Sequence, residues 1–279
     1  MRFPRALIIL LLAGCGSEPV AAPTPSPTPS LLATDAAGAA DGPMPLDRYV
    51  PTARYLADLT LGQDAAIGDC MRERGHPQWV DGTFSTWGVN DFEEVDHVTS
   101  LDPGTAARDG YPREAPDPRL VRQKNVRFEH QPSGDQMALA DKCFEVARTK
   151  IYDPDDLPTD PGELLGNAKN AAWDDPRVTP LVKEWVTCMR DGGHAYTKPI
   201  QAVFDERWEP RPAGKPAGRE ERQVAAADAT CRAETGLTET YLRVRRAYEQ
   251  KALDENREKL DAALKVMRVW RANARAALA

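Results

Sequence analysis

The longest apolar pattern in the chain lies near its C-terminal end. Tyr241, Val244, Tyr248, Ala252, Leu260, Leu264, Met267 and Trp270 recur at helical spacing, with Glu, Arg and Lys crowding the opposite face. The segment from about Thr238 to Ala276 therefore predicts an amphipathic helix. The stripe breaks near Asn256, and one long helix or a packed pair both satisfy it. Packing onto its own domain is the simpler expectation, and dimerisation through the stripe is the alternative. Upstream, Val182, Trp185, Val186 and Met189 form a second apolar face. Asp174-Asp175-Pro176 supplies a capping aspartate and a first-turn proline, which places the start of that helix there.

This second helix belongs to a degenerate repeat. Cys70-Met71-Arg72-Glu73-Arg74-Gly75-His76 returns as Cys188-Met189-Arg190-Asp191-Gly192-Gly193-His194. Ala140-Asp141-Lys142-Cys143 is echoed by Ala227-Asp228-Ala229-Thr230-Cys231, with one residue inserted. Each unit reads as helix, Cys-Met-Arg, glycine stop, connector, second helix, cysteine. Gly75 and Gly193 suit the left-handed position that ends a helix. The expected fold is mainly α: two disulfide-stapled helical hairpins and a long C-terminal helix. A small β-hairpin is expected around Asp81-Gly82 in the first connector.

The boundaries follow from composition. Residues 1–14 carry Arg2, Arg5 and the short apolar run Ala6–Ala13, the architecture of a signal peptide. Leu12-Ala13-Gly14-Cys15 resembles a bacterial lipobox, which implies a diacylglyceryl group (palmitate-type chains) on Cys15 and cleavage before it. Residues 15–45 form a tether rich in Pro, Thr and Ser, whose Ala22–Pro29 stretch favours polyproline II. Unit 1 covers 46–150, an acidic Pro-rich linker 151–173, unit 2 174–236, and the C-terminal helix 237–279.

Charge and cysteines narrow the setting. The formal charge of −7 becomes −9 when Arg2 and Arg5 leave with the signal. An acidic surface disfavours nucleic acid, whose non-specific binding rests on phosphate neutralisation. With Cys15 taken by lipid, Cys70, Cys143, Cys188 and Cys231 are an even set in an oxidising compartment, which expects two disulfides. Of three connectivities, the repeat selects Cys70–Cys143 and Cys188–Cys231. In the loop-entropy picture each closure is worth about 4 kcal/mol.

The words together resemble a family of actinobacterial, Streptomyces-like lipoproteins and secreted proteins. The residues that carry this are Pro45-Leu46-Asp47, Tyr49, Pro51, Cys70-Met71-Arg72, Gly75, Gly110-Tyr111, Trp185, Cys188-Met189, Gly193, Tyr196, Pro199, Ala202, Ala227-Asp228, Cys231 and Gly236-Leu237. His76 and His194 stand where the family is expected to carry an aromatic residue. The family has no assigned activity, so the resemblance implies fold and location, and makes the paired cysteines a feature of the scaffold.

Chemistry is sparse. Cys70, His76, Cys188 and His194 are an alternative zinc set, although Cys-x5-His is unusual spacing and a helix stop separates the ligands. The simpler reading of each histidine is a residue covering a helix end; His97 and His130 read as solvated. The acidic run Asp153–Glu163 departs from a calcium loop, with Pro158 where glycine is required. Glu93-Glu94 and Asp174-Asp175 are weak candidates for a hydrolytic acid–base pair. No nucleophile elbow, metalloprotease or phosphate-loop motif is present in the sequence, and no cofactor is implied. The expected role is non-catalytic binding or scaffolding at the extracytoplasmic face of the bacterial cell membrane, with an envelope protein or cell-wall polymer as partner. A zinc-binding or hydrolytic envelope enzyme is the alternative. The long, aromatic-bearing first connector (Pro77–Pro132) is the first candidate for contact, the alternative being that its aromatics pack onto the helices as a lid, and Trp79, Trp87, Tyr111 and Tyr196 are the candidate contact residues.

Overall fold

The computed structural model describes residues 28–30, 42–84, 101–113, 117–208, 211 and 215–279, apart from the side chain of Phe128. Among these residues the chain is helical, with no strand. The helices are α1 (Ala53–Glu73), α2 (Pro103–Asp109), α3 (Pro118–Glu129), α4 (Gly134–Ile151), α5 (Pro161–Trp173), α6 (Thr179–Asp191), α7 (Pro199–Val203), α8 (Arg219–Thr235) and α9 (Leu237–Ala277).

One dipeptide starts several of them. In Asp102-Pro103, Asp117-Pro118 and Asp160-Pro161 the aspartate side chain accepts a backbone N–H of the first turn, while proline occupies a position whose N–H has no helical partner. The third pair begins α5 inside the segment 151–173 expected to be linker alone. Asp174-Asp175-Pro176 is the exception, and corrects the expected start of α6. There Asp175 caps a separate turn, accepting from the Arg177 N–H at 2.9 Å, and the helix begins only at Thr179. In α4 a reciprocal Ser133–Gln136 capping box does the same work.

The repeat is visible in three dimensions. Cys70–Cys143 joins α1 to α4, and Cys188–Cys231 joins α6 to α8. The stops of α1 and α6 are the same motif. The N–H groups of His76 and His194 donate to Met71 O and Met189 O at 3.1 and 2.8 Å, and Gly75 and Gly193 hold φ of +93° and +85°. The histidines thus close their helices through the backbone. The Ala-Asp words, by contrast, are out of phase. Counted back from the cysteines, Ala140 occupies the position of Asp228, and both are fully buried, whereas Asp141 faces solvent. One inserted residue turns a helical side chain by about 100°, so the two aspartates are not equivalent.

Three cores form, and α9 touches all of them. Leu237, Tyr241 and Val244 pack with Trp185, Met189 and Val224 of the second unit. Leu253 and Leu260 meet Leu46 and Tyr49, with Leu164 and Leu165 of α5 beside them. Met267, Trp270 and Ala274 complete the first unit with Ile67, Met71 and Ala147. The stripe is one continuous helix of 41 residues. Asn256 stays within it, its amide donating to Ala252 O at 2.9 Å. The approach of α1 to α9 is close enough that a Cβ on Gly62 would lie 2.6 Å from Ala274 Cα.

Two outcomes test this packing. Gly62→Val forces two backbones apart and is expected to cost about 2–3 kcal/mol, read as a lowered urea midpoint with an unchanged slope. Asp117 and Asp175 are held below the usual carboxylate range by side-chain hydrogen bonds from Arg119 and Arg177. Carboxyls with depressed folded pKa contribute stability that is complete above their unfolded value, near 4, and lost as pH falls through the folded one. Stability should therefore be flat from pH 7 to about 5 and fall below about 4. Asp175→Asn should flatten that fall in urea titrations across the range.

Candidate functional site

Two of the four aromatic residues expected at a contact surface lie in the core. Trp79 is buried against the first unit. Its connector makes the Asp81-Gly82 turn, Thr83 N–H donating to Val80 O at 3.2 Å, with no strand among the described residues. Arg72 pins this turn to α1 through Asp81 at 2.8 Å. Trp87 and Cys15 lie outside the described residues.

Tyr111 crosses to the other unit. Helix α2 packs on α8, which places the Tyr111 ring against Trp208. Its hydroxyl donates to Asp228 Oδ2 at 3.2 Å. Asp228 also accepts from Trp185 Nε1 at 2.9 Å and from Arg232 Nε and Nη2 at 2.6 and 2.8 Å. The Asp228 and Arg232 side chains are 0% and 2% exposed. Glu221 receives the Tyr111 N–H and pairs with Arg211, which in turn donates to Tyr111 O at 2.6 Å. A connector that sequence spacing assigns to unit 1 is thus sewn into the core of unit 2. Burial pushes the Tyr111 phenol far above its ordinary value, so it serves as a fixed neutral donor.

Tyr196 is half-buried at the edge of the second core. Thr197 and Lys198 donate to Gln201 Oε1, and Pro199 opens α7, so this short helix is capped by its own sequence. It holds Ile200 and Phe204 at 49% and 47% exposure, one turn apart. Tyr196 donates to Asp205 Oδ2 at 2.8 Å and accepts from Arg207 Nη2 at 2.6 Å. Arg207 also pairs with Glu220 and lies over the Trp208 ring, and Arg113 lies over Phe204. Tyrosine, phenylalanine and arginine around an exposed aliphatic side chain is the composition of interaction hot spots. Burial and the Asp205 bond raise the Tyr196 phenol, and Arg207 holds Asp205 well below the carboxylate range. Neither group is poised to move a proton near neutrality. Ile200 and Phe204 carried no signal in the sequence, because two apolar residues at i and i+4 look the same whether covered or bare.

The zinc alternative meets a chemical obstacle. Cys70 and Cys188 are both in disulfides, and a disulfide sulfur carries no thiolate to give a metal. Among the described residues no group of three or more His, Cys, Asp or Glu is placed to hold an ion. In the acidic run, Asp153 is engaged by Arg148 at 2.7 Å and caps a short 3₁₀ turn. An open hollow of about 600 Å³ beside the second disulfide is lined by Lys183, Glu184, Thr187, Cys188, Asp191 and Glu234, which offers no activated nucleophile.

The buried network gives a direct test. Asp228→Ala leaves Arg232 buried without its counter-charge and strands two further donors. It is expected to cost about 3–5 kcal/mol and lower the melting temperature accordingly. Trp185→Phe removes one hydrogen bond and leaves a cavity in place of part of the fully buried indole, and should cost about 2–4 kcal/mol. Protein-family models, curated proteins and solved structures were compared with this chain, and none matches it.

Proposed function

We propose that this protein is a lipid-anchored, extracytoplasmic binding or scaffolding protein of the bacterial envelope, without catalytic activity. Its resemblance to actinobacterial lipoproteins belongs to the same proposal. The observation that carries the binding role is the α7 patch. Ile200 on α7 and Phe204 at its C-cap stand exposed, framed by Tyr196, Arg207 and Arg113. The helix is held by the Gln201 cap at its start and by Trp208 Nε1 and Arg113 Nη2 donating to Val203 O at its end. The partner would be an envelope protein or a cell-wall polymer, held by apolar contact at the centre and arginine at the rim.

Support for the location comes from the lipobox-like Leu12–Cys15 and from the two paired disulfides, which persist in oxidising compartments. Among the described residues no helix is long and apolar enough to cross a membrane. Attachment would rest on acyl chains, of which two or more are needed for stable anchoring.

Membrane fractionation with intact-mass measurement tests the anchor. The wild-type chain should sediment with membranes as a species beginning at acylated Cys15, and Cys15→Ala should not be acylated. An unmodified wild-type N-terminus would sink the anchor. A photo-crosslinker at Phe204 in intact cells should capture one discrete partner, and Ile200→Asp should reduce the yield at least about fivefold, as for a truncated hot spot. Capture unaffected by that change would remove the α7 patch as the contact.

A further inference from the structure

Thr28-Pro29 is the last Ser/Thr-Pro repeat of the tether, and it lies against the folded body. Arg177 Nη1 donates to Pro29 O at 3.3 Å, and the Thr28 hydroxyl hydrogen-bonds with Tyr248. Both partners are organised from beneath by one carboxylate. Asp175, with its side chain fully buried, accepts from Arg177 Nε at 2.7 Å, Arg177 Nη2 at 2.8 Å and the Tyr248 hydroxyl at 3.1 Å. The arginine and the tyrosine are therefore set in place by the body itself. The same turn of α9 receives the chain again further on. Arg246 donates to Gly42 O and Pro43 O, both at 2.9 Å, and Glu249 Oε2 accepts the Leu46 N–H at 3.1 Å.

We propose that Asp175, Arg177 and Tyr248 form a docking site for the chain's own Ser/Thr-Pro tether, which binds Thr28-Pro29 and folds the tether back onto α9. The chemistry suits a proline-rich strand. Polyproline II leaves its carbonyls without internal partners, and proline has no N–H to donate, so recognition needs donors and an aromatic surface from the other side. Arg177 supplies the donor for the proline carbonyl. Tyr248 supplies a hydroxyl for the residue before it.

Docking sets reach. At about 3 Å per residue, Gly16–Pro27 spans roughly 35 Å, whereas Gly16–Asp41 spans roughly 80 Å. A docked tether keeps the body at less than half its full distance from the point of attachment. This consequence for height rests on the proposed lipid on Cys15, and the docking does not.

The test places the photo-crosslinker p-benzoylphenylalanine at Ser30 of the full chain and maps the products by peptide mass. Crosslinks should fall in the peptides that contain Arg177 and Tyr248. Thr28→Val and Tyr248→Phe should each reduce their yield roughly threefold to tenfold, the worth of one hydrogen bond. The tether variant cannot unfold the body, and melting temperature with intact disulfides checks the other. Crosslinks scattered over other helices, or yields unmoved by both substitutions, would overturn the docking site. Crosslinks at the site in a chain whose Cys15 proves unacylated would uphold the docking and overturn the consequence for height.

Discussion

The molecule depends on the register of α9. A helix of 41 residues extends about 60 Å, and its apolar stripe must meet three separate cores at once. Apolar contact alone tolerates small rotations and slides, because dispersion and burial are non-directional. Buried charge does not. Glu249 is fully buried, accepts from Arg245 at 2.6 Å and takes the Leu46 N–H. Near the other end, Asp58 of α1 faces Arg271 and Arg275 of α9 and receives Arg119 of α3 at 2.9 Å. A shift of one residue would carry Glu249 off the Leu46 N–H and draw Arg271 and Arg275 away from the buried Asp58 carboxylate, while Arg245 and Arg119 would keep their partners. Hydrophobic burial supplies the attraction, and the two carboxylates select one alignment of the helix.

Much of this was legible in the amino-acid order. The spacing of Tyr241 to Trp270, the twin Cys-Met-Arg words and the two glycine stops report local geometry, and local geometry repeats when sequence repeats. What remained hidden was tertiary. Asp160-Pro161 begins a helix and Asp175-Pro176 does not: the N–H groups of Val178 and Thr179 close a turn on Asp175 O at 2.9 and 3.0 Å, and α6 starts afresh at Thr179-Pro180. The shared Ala-Asp letters suggested equivalence, but the disulfides fix the phase of α4 and α8. In the first unit Ile67 and Ala140 fill the places that Trp185 and Asp228 hold in the second. One unit solved its core with apolar volume, and the other with a hydrogen-bonded pair that needed Tyr111 from a distant connector.

The same reasoning explains where the candidate contact residues lie. An aromatic side chain in a long polar connector has two outcomes, burial under the connector or display upon it, and composition is identical in both. Trp79 and Tyr111 took the first course because each had a vacancy to fill and, for Tyr111, a carboxylate to reach. Tyr196 took an intermediate one. The displayed apolar pair instead comes from α7, a helix too short to bury more than one side.

The path of the N-terminal segment has a mechanical meaning. Leu46 is fastened at Glu249, and the Tyr49 hydroxyl donates to Asp261 at 2.9 Å. Any tension entering through the N-terminal segment is thus delivered toward the middle of the longest helix. The two units then behave as the arms of a beam suspended near its centre. Pulling along the tether would load these polar fastenings in shear before it stressed either disulfide-stapled arm. Under tension the arms would keep their shape, and the suspension point would be the first part to yield.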